Sequence, residues 1–213
     1  MTKPRVLLAD DHRILAEGLT SLLEPEFELV EIVEDGRALV ARARQLRPDV
    51  IVADITMPLL NGIEAVRQLK KAEVPAKIVF LTMHQDVTYA AKAFELGASG
   101  FVLKHSAPSE LVTAIREALA GRTYVTPLIA GELMKAYRDG EAKSQDPTSE
   151  LTPRQREALQ LFAEGRSAKE VASIMHISPR TAEFHKASIM KLLGIHKAAE
   201  LAQYAVRHGI ISS

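Results

Sequence analysis

"VIVAD", residues 50–54, is an unbroken apolar run that ends on a carboxylate. A run of this length without alternation fits a strand buried on both faces. Four other stretches share the form: "RVLLA" (5–9), "LVEIV" (29–33), "KIVFLT" (77–82) and "GFVLK" (100–104). Between and after them lie residues 13–24, 37–47, 61–72, 86–97 and 108–120, each with apolar residues three and four apart, the spacing of a helix face. Apolar strands alternating with helices make a parallel sheet covered on both sides. The expected fold over residues 1–121 is therefore a doubly wound α/β domain of five βα units. Right-handed crossovers limit its topology, and a site belongs beyond the carboxyl ends of the strands.

After residue 121 the strand signal stops. "RTYVTPLIAGELMKAYRDG" allows one short helix near 127–138, and "EAKSQDPTSE" is polar with a proline, so 122–148 reads as a linker carrying a short helix. Residues 149–213 then read as a separate all-α domain of four short helices. Thr152-Pro153-Arg154-Gln155 fits an N-cap, a first-turn proline and a reciprocal polar partner, and Ser167 with Glu170 repeats the capping box. Ser178-Pro179 opens the third helix and Gly194 closes it; the fourth runs from about Lys197 to His208.

Composition narrows the class. The 213 residues carry 27 basic and 27 acidic side chains and no cysteine, which excludes disulfides, thiolate metal sites and cysteine nucleophiles. No run approaches the roughly 18 apolar residues of a membrane span. The start, "MTKPRVLLADD", is too short in its apolar part for a signal peptide, so a cytoplasmic protein with no membrane partner is expected. The neutral total hides an asymmetry: residues 149–213 hold nine Lys or Arg against six Asp or Glu, and residues 1–148 hold 18 against 21. That change of sign is small enough to be ordinary scatter, but it allows the two ends different partners.

The polar residues that matter sit at strand ends: Asp10 and Asp11 after the first, Asp54 after the third, Thr82 after the fourth and Lys104 after the fifth. Singly each has a plainer reading, as a helix cap, a loop acid, a strand residue or a snorkelling surface charge. In a parallel sheet, however, these ends share one edge. Three converging carboxylates repel one another, and a hard cation such as Mg²⁺, which takes oxygen ligands and keeps several waters, relieves that. A lysine and a hydroxyl beside the cation suit a phosphate, and an aspartate carboxylate is a competent phosphoryl acceptor.

"LLADDH", "ADITMPLLNG", "FLTMH" and "GASGFVLK" resemble the receiver domain of two-component response regulators, over about residues 4–121. The resemblance implies that Asp54 accepts a phosphoryl group from a cognate sensor histidine kinase. It implies Asp11 as direct Mg²⁺ ligand, Asp10 acting mainly through water, and the Thr56 backbone carbonyl completing the protein ligands alongside Asp54. Lys104 would pair with the phosphoryl oxygens, and Thr82 would move toward them and let Phe101 turn inward. Many receivers have proline after the lysine, with a cis bond. Here that residue is His105, for which a cis bond would cost about 2.5–4 kcal/mol; a surface histidine is expected.

The helical half has the helix-turn-helix pattern, in which the second helix of the pair enters the DNA major groove. At about 100° per residue, Ala182, His185, Ile189 and Leu193 share a narrow buried stripe, and Arg180, Phe184, Ala187 and Lys191 face away from it. "LTPRQREALQLFAEGRSAKEVASIMHISPRTAEFHKASIMKLLG" closely resembles the LuxR-type DNA-binding domain, and its union with a receiver resembles the NarL/FixJ group of response regulators. The expected DNA contacts are Arg166, Lys169, Arg180, Thr181, Glu183, Phe184, Lys186, Ala187 and Lys191. Phe184 could cover a thymine methyl, while Glu183 could accept from a cytosine amino group or simply favour its own helix N-terminus. The resemblance implies a dimer contact at Leu201, Ala202 and Ala205. It also marks two departures: Ala182 replaces a commoner β-branched residue, and Leu192 a commoner basic one.

The reading is a non-enzymatic, phosphorylation-controlled transcription factor. It would bind promoter half-sites as a homodimer when active, with RNA polymerase as a further partner. Two alternatives compete. A Mg²⁺-dependent aspartyl-phosphate phosphatase would want a carboxylate where Thr56 stands, and a phospho-switch could bind a partner protein instead of DNA.

Overall fold

The computed structural model describes residues 2–139 and 150–211. Its first part follows the expected alternation: β1 (Arg5–Ala9), α1 (Arg13–Leu23), β2 (Glu28–Val33), α2 (Gly36–Leu46), β3 (Val50–Ala53), α3 (Gly62–Lys71), β4 (Lys77–Thr82), α4 (Val87–Glu95), β5 (Gly100–Leu103) and α5 (Ala107–Leu119). A sixth strand follows, β6 (Tyr124–Val125). All strands pair in parallel, in the order β2-β1-β3-β4-β5-β6.

The strands alternate two apolar layers. Leu7, Ala9, Ile51, Ala53, Ile78, Phe80, Phe101 and Leu103 pack under α2, α3 and α4. Val6, Leu8, Val50, Val52, Val79, Leu81 and Val102 pack under α1 and α5. Both faces of each central strand are dry, which is why the sequence shows runs and not alternation. The chain reverses between β1 and β3, and the crevice of a doubly wound sheet opens at that point.

The expected five strands are corrected to six. Two residues are too short to show a period, yet Tyr124 and Val125 register against Gly100 and Phe101. Thr126 then locks the edge: its N–H donates to the Phe101 carbonyl (3.0 Å) and its hydroxyl accepts from the Leu103 N–H (3.1 Å). The expected short helix is α6 (Pro127–Arg138). It does not hang in a linker, because Ile129 and Leu133 are buried in the same layer as α4. Most of the polar stretch read as linker, residues 140–149, lies outside the described residues.

Four helices complete the chain: α7 (Pro153–Ala163), α8 (Ala168–Met175), α9 (Pro179–Leu192) and α10 (Ala198–Arg207). Their capping follows the sequence. Thr152 with Gln155 and Ser167 with Glu170 form reciprocal capping boxes, and the Ser178 hydroxyl accepts from the Thr181 N–H. Leu159, Leu161, Val171, Met175, Ala182, Ile189, Leu201 and Ala205 form the shared core.

The two parts meet through α7. Gln160, fully buried, accepts from the Asn61 N–H (2.7 Å) and donates to the Met57 carbonyl (2.8 Å). Arg156 pairs with Glu64 (2.6 Å), Arg37 pairs with Glu157, and Glu164 accepts from the Leu59 N–H (2.9 Å). The Leu59 side chain packs on the helical core from the other side of the junction.

Candidate functional site

Each acid of the pocket is delivered by a strand that stops. The Asp10 N–H donates to the Val33 carbonyl (3.0 Å) and the Asp54 N–H to the Ala9 carbonyl (2.8 Å), so β1 and β3 are still laddered where their carboxylates emerge. Asp10 and Asp54 are buried and Asp11 is half-buried. Lys104, arriving from β5, sets its ammonium 2.9 Å from Asp10 Oδ1 and 2.8 Å from Asp54 Oδ2. Gly62 closes the loop after Asp54. A Cβ there would come within 2.0 Å of the Asp54 carbonyl oxygen, so any side chain would push the loop off Asp54.

Electrostatics favour a cation here. Burial pushes the Asp54 carboxyl up to about 6, against the opposing pull of the Lys104 ammonium. Burial would lower Lys104, but Asp54 and Asp10 outweigh it and hold its pKa above the usual lysine value. One ammonium does not satisfy the cluster. Asp10 Oδ2 and Asp11 Oδ1 are buried without a well-formed hydrogen bond, although Lys104 lies 2.8 Å from the first and His12 2.9 Å from the second. Carboxylate oxygens of Asp10, Asp11 and Asp54, with a ring nitrogen of His12, lie within 4.8 Å of one another. That donor set fits a hard divalent cation.

Thr82 is fully buried, with its hydroxyl accepting from the His84 N–H (3.2 Å). Phe101 is also fully buried, already turned into the core. Thr56 faces the pocket, its hydroxyl 2.7 Å from His84 Nε2 and its N–H 3.3 Å from Asp54 Oδ1. His84 stacks on Tyr89 at 4.4 Å, and its burial lowers its pKa. His105 is exposed behind a trans peptide bond, as expected of a surface histidine.

In the helical part, α9 presents a continuous outward face. Arg180, Thr181, Glu183, Ala187 and Lys191 are exposed, and Phe184 is 70% exposed despite being aromatic. Ala182 and Ile189 are buried, His185 and Leu193 only half so. Lys169 is exposed at the start of α8, whereas Arg166 is half-buried against Glu164 (3.2 Å). Lys186 holds its ammonium 5.2 Å from the centre of the Phe162 ring.

Comparison with known proteins matches this two-part geometry. Residues 6–116 match the response regulator receiver domain, and residues 149–205 match the bacterial regulatory proteins of the luxR family. The chain belongs to the response regulators. It is 37% identical to the transcriptional regulatory protein MctR of Rhizobium johnstonii, over 99% of this chain and 96% of that protein. The crystal structure of a LuxR-family two-component response regulator from Aurantimonas sp. SI85-9A1 is 41% identical, with a TM-score of 0.61 over 64% of this chain and 99% of that one. RcsB of Salmonella enterica serovar Typhimurium, solved on promoter P1flhDC with the phosphomimetic BeF₃⁻, is 28% identical, with a TM-score of 0.62 over 95% and 98%. This response regulator therefore regulates transcription through a LuxR-type DNA-binding domain.

The regulator's structure brings Asp10, Asp11, Asp54, Thr56, Thr82 and Lys104 to one edge. Leu201 and Ala205, expected at a dimer contact, are 1% and 0% exposed inside the regulator's own helical core, and of that set only Ala202 is half-exposed. Their side of α10 packs against α7. His12 and His84 were missed. Both stand in stretches that carry the resemblance, "LLADDH" and "FLTMH", but a histidine near an acid has no spacing rule to separate it from a surface residue. Among the described residues no helix is long and apolar enough to cross a membrane.

Proposed function

We propose that Asp54 is the regulator's phosphoryl acceptor, that a sensor histidine kinase supplies the group, and that the α9 face reads DNA in response. One observation carries the reading: Lys104 bridges Asp54 and Asp10 at 2.8 and 2.9 Å inside a buried cluster of acids. A nucleophilic carboxylate, a fixed ammonium and a cation-binding acid pair are the parts phosphoryl transfer needs.

Asp10, Asp11, Asp54 and the Thr56 backbone carbonyl would hold Mg²⁺. The ion would neutralise charge on the transferring oxygens. The Asp54 carboxylate attacks phosphorus as the P–N bond to the kinase's phosphohistidine breaks and its imidazole leaves, and Lys104 stays within reach of the oxygens that gain charge. Thr82, whose hydroxyl holds the His84 N–H, is positioned to exchange that partner for a phosphoryl oxygen. Phe101 is already buried here, in the inward position expected to accompany that exchange. Thr56 offers a hydroxyl where a turnover enzyme would want a second carboxylate, which supports a stored acyl phosphate over a phosphatase.

On the DNA side, Arg180, Lys186 and Lys191 would meet phosphates or guanine edges, and Phe184 a thymine methyl. Thr181, Glu183 and Ala187 share the exposed face, and Lys169 with Arg166 would approach the backbone from α8. Homodimers on paired half-sites and contact with RNA polymerase complete the proposal.

The test is DNA binding with and without a small phosphodonor and Mg²⁺, using DNA selected from a random pool. Wild type should respond, and Asp54→Asn should not. An equal response in both would remove Asp54 as the switch. Failure to enrich any sequence would move the helical domain to a protein partner.

A further inference from the structure

Among the described residues, a threonine or serine stands directly before a helix-opening proline at Thr126, Thr152 and Ser178. Such a hydroxyl ordinarily accepts from the first turn of its own helix. Thr152 and Ser178 do so, accepting from the N–H groups of Gln155 and Thr181. Thr126 makes no such cap. Its hydroxyl turns back across the sheet edge, where it accepts from the Leu103 N–H (3.1 Å) and donates to Glu110 of α5 (2.7 Å).

Leu103 is the last residue of β5, and Lys104 follows it. On one side Leu103 registers against Thr82 of β4. On the other, β6 has already ended at Val125, and the Thr126 carbonyl has turned into α6 to accept from the Ile129 N–H (3.1 Å). The hydroxyl therefore stands where a longer sixth strand would offer a carbonyl, and it carries the edge ladder to the end of β5. Thr126 is 1% exposed, so bulk water does not compete for the bond. Glu110 sets the direction of the hydroxyl: its carboxylate takes the proton and leaves a lone pair for Leu103. After Leu103 the chain leaves the sheet in a short 3₁₀ turn, Lys104–Ser106. From there the Lys104 stem carries its ammonium to 2.8 Å from Asp54 and 2.9 Å from Asp10. A flexible four-carbon stem holds one such geometry only if its root is fixed.

We propose that Thr126, oriented by Glu110, is a positioning residue for Lys104: its hydroxyl fixes the end of β5 from which the ammonium meets the phosphoryl oxygens. This rests on Lys104 being the partner of those oxygens on Asp54. Removing the hydroxyl strips the buried Leu103 N–H of its acceptor, and the strand end shifts to find another. Asp10 and Asp54 are laddered by separate bonds, to Val33 and Ala9, and stay in place. The effect therefore falls on the lysine and not on the acids that would hold Mg²⁺. Through this one hydroxyl, β6 and the start of α6 serve the acceptor pocket as well as the sheet.

The test uses the full chain and measures two affinities separately: Mg²⁺ alone, and the phosphoryl mimic beryllofluoride by ¹⁹F NMR in saturating Mg²⁺. Lysine labelled with ¹³C at Cε reports on Lys104 directly. Thr126→Val should leave Mg²⁺ affinity within about twofold, weaken beryllofluoride about tenfold, and move the Lys104 Cε signal toward those of exposed lysines. Thr126→Ser should restore both. With Lys104→Met there is no ammonium to place, so adding Thr126→Val should cost less than about twofold. Glu110→Ala, at a half-buried surface position, should show the same split more weakly, and it carries the test if Thr126→Val does not fold. Equal loss of Mg²⁺ and beryllofluoride affinity, the same tenfold loss in the Lys104→Met background, or wild-type beryllofluoride affinity in Thr126→Val or Glu110→Ala overturns the proposal. Lys104→Met with undiminished beryllofluoride affinity overturns the role of Lys104 beneath it, so the two failures are distinguishable.

Discussion

The Lys104 ammonium stands 2.8 Å from Oδ2 of Asp54, and both groups are almost wholly buried. Removing one partner of such a pair leaves an uncompensated charge, at a cost of about 3–5 kcal/mol. Lys104→Met should therefore unfold at markedly lower urea in chelator, its loss trimmed where Asp54 takes up a proton. Added Mg²⁺ should recover much of the deficit, since the cation would replace the lost positive charge between Asp10 and Asp54. An identical deficit with and without Mg²⁺ would mean that these acids do not hold the ion.

Asp54 carries a second, opposite prediction. Its folded pKa is about 6 against an ordinary 3.8, because burial opposes ionisation more than Lys104 favours it. The folded protein thus keeps a proton that the unfolded chain gives up between those values. That preference stabilises the fold fully below pH 3.8 and is lost as pH rises through about 6. Above it, the ionised carboxylate costs at most about 3 kcal/mol. Asp54→Asn should raise the urea midpoint at pH 7.5 without Mg²⁺, and the advantage should vanish near pH 4. A gain that persists unchanged at pH 4 would assign it to packing instead.

Helix α6 sets the limit of a stable receiver. Leu133 is 5% exposed and Ile129 2%, both in the layer with α4. Leu133→Ala should cost about 2–5 kcal/mol, a value no linker residue would show. A fragment ending at residue 139 should unfold in one cooperative transition. One ending at 121 loses β6 and α6, exposes Phe101's edge strand, and should melt earlier or aggregate.

Why the pocket was legible and this boundary was not follows from what a sequence encodes locally. The central strand runs are apolar at nearly every residue because both their faces are dry, so the polar residue that ends each run stands out. Asp10, Asp54, Thr82 and Lys104 therefore announced themselves, and parallel order alone carried them to one edge. Tyr124–Val125 is too short to show a period. Ile129 and Leu133 give α6 an apolar face, but periodicity says nothing about what covers it. Gln160 and Glu157 give no local sign of burial; they are buried because another domain supplies their partners. Leu201 and Ala205 are likewise covered by the chain's own helical core, which the apolar spacing of α10 alone does not show.

Phe184 gives the sharpest test of the proposed DNA face. At 70% exposure it contributes little to the helical core, so Phe184→Ala should change the melting temperature hardly at all. Its effect belongs to binding. A thymine-methyl contact is directional and base-specific, so affinity for the selected sequence should fall by about 1–3 kcal/mol, and selection should relax at one position. Lys191→Ala should behave differently, weakening all sequences alike and reducing the salt dependence of log K by about one unit. Lys186, also expected at the DNA, has a second role in stability. Its ammonium lies over the Phe162 ring, so Lys186→Ala should cost about 0.5–1 kcal/mol of domain stability. Should Phe184→Ala lower affinity equally for every base at every position, the aromatic is a packing surface against the backbone and reads nothing.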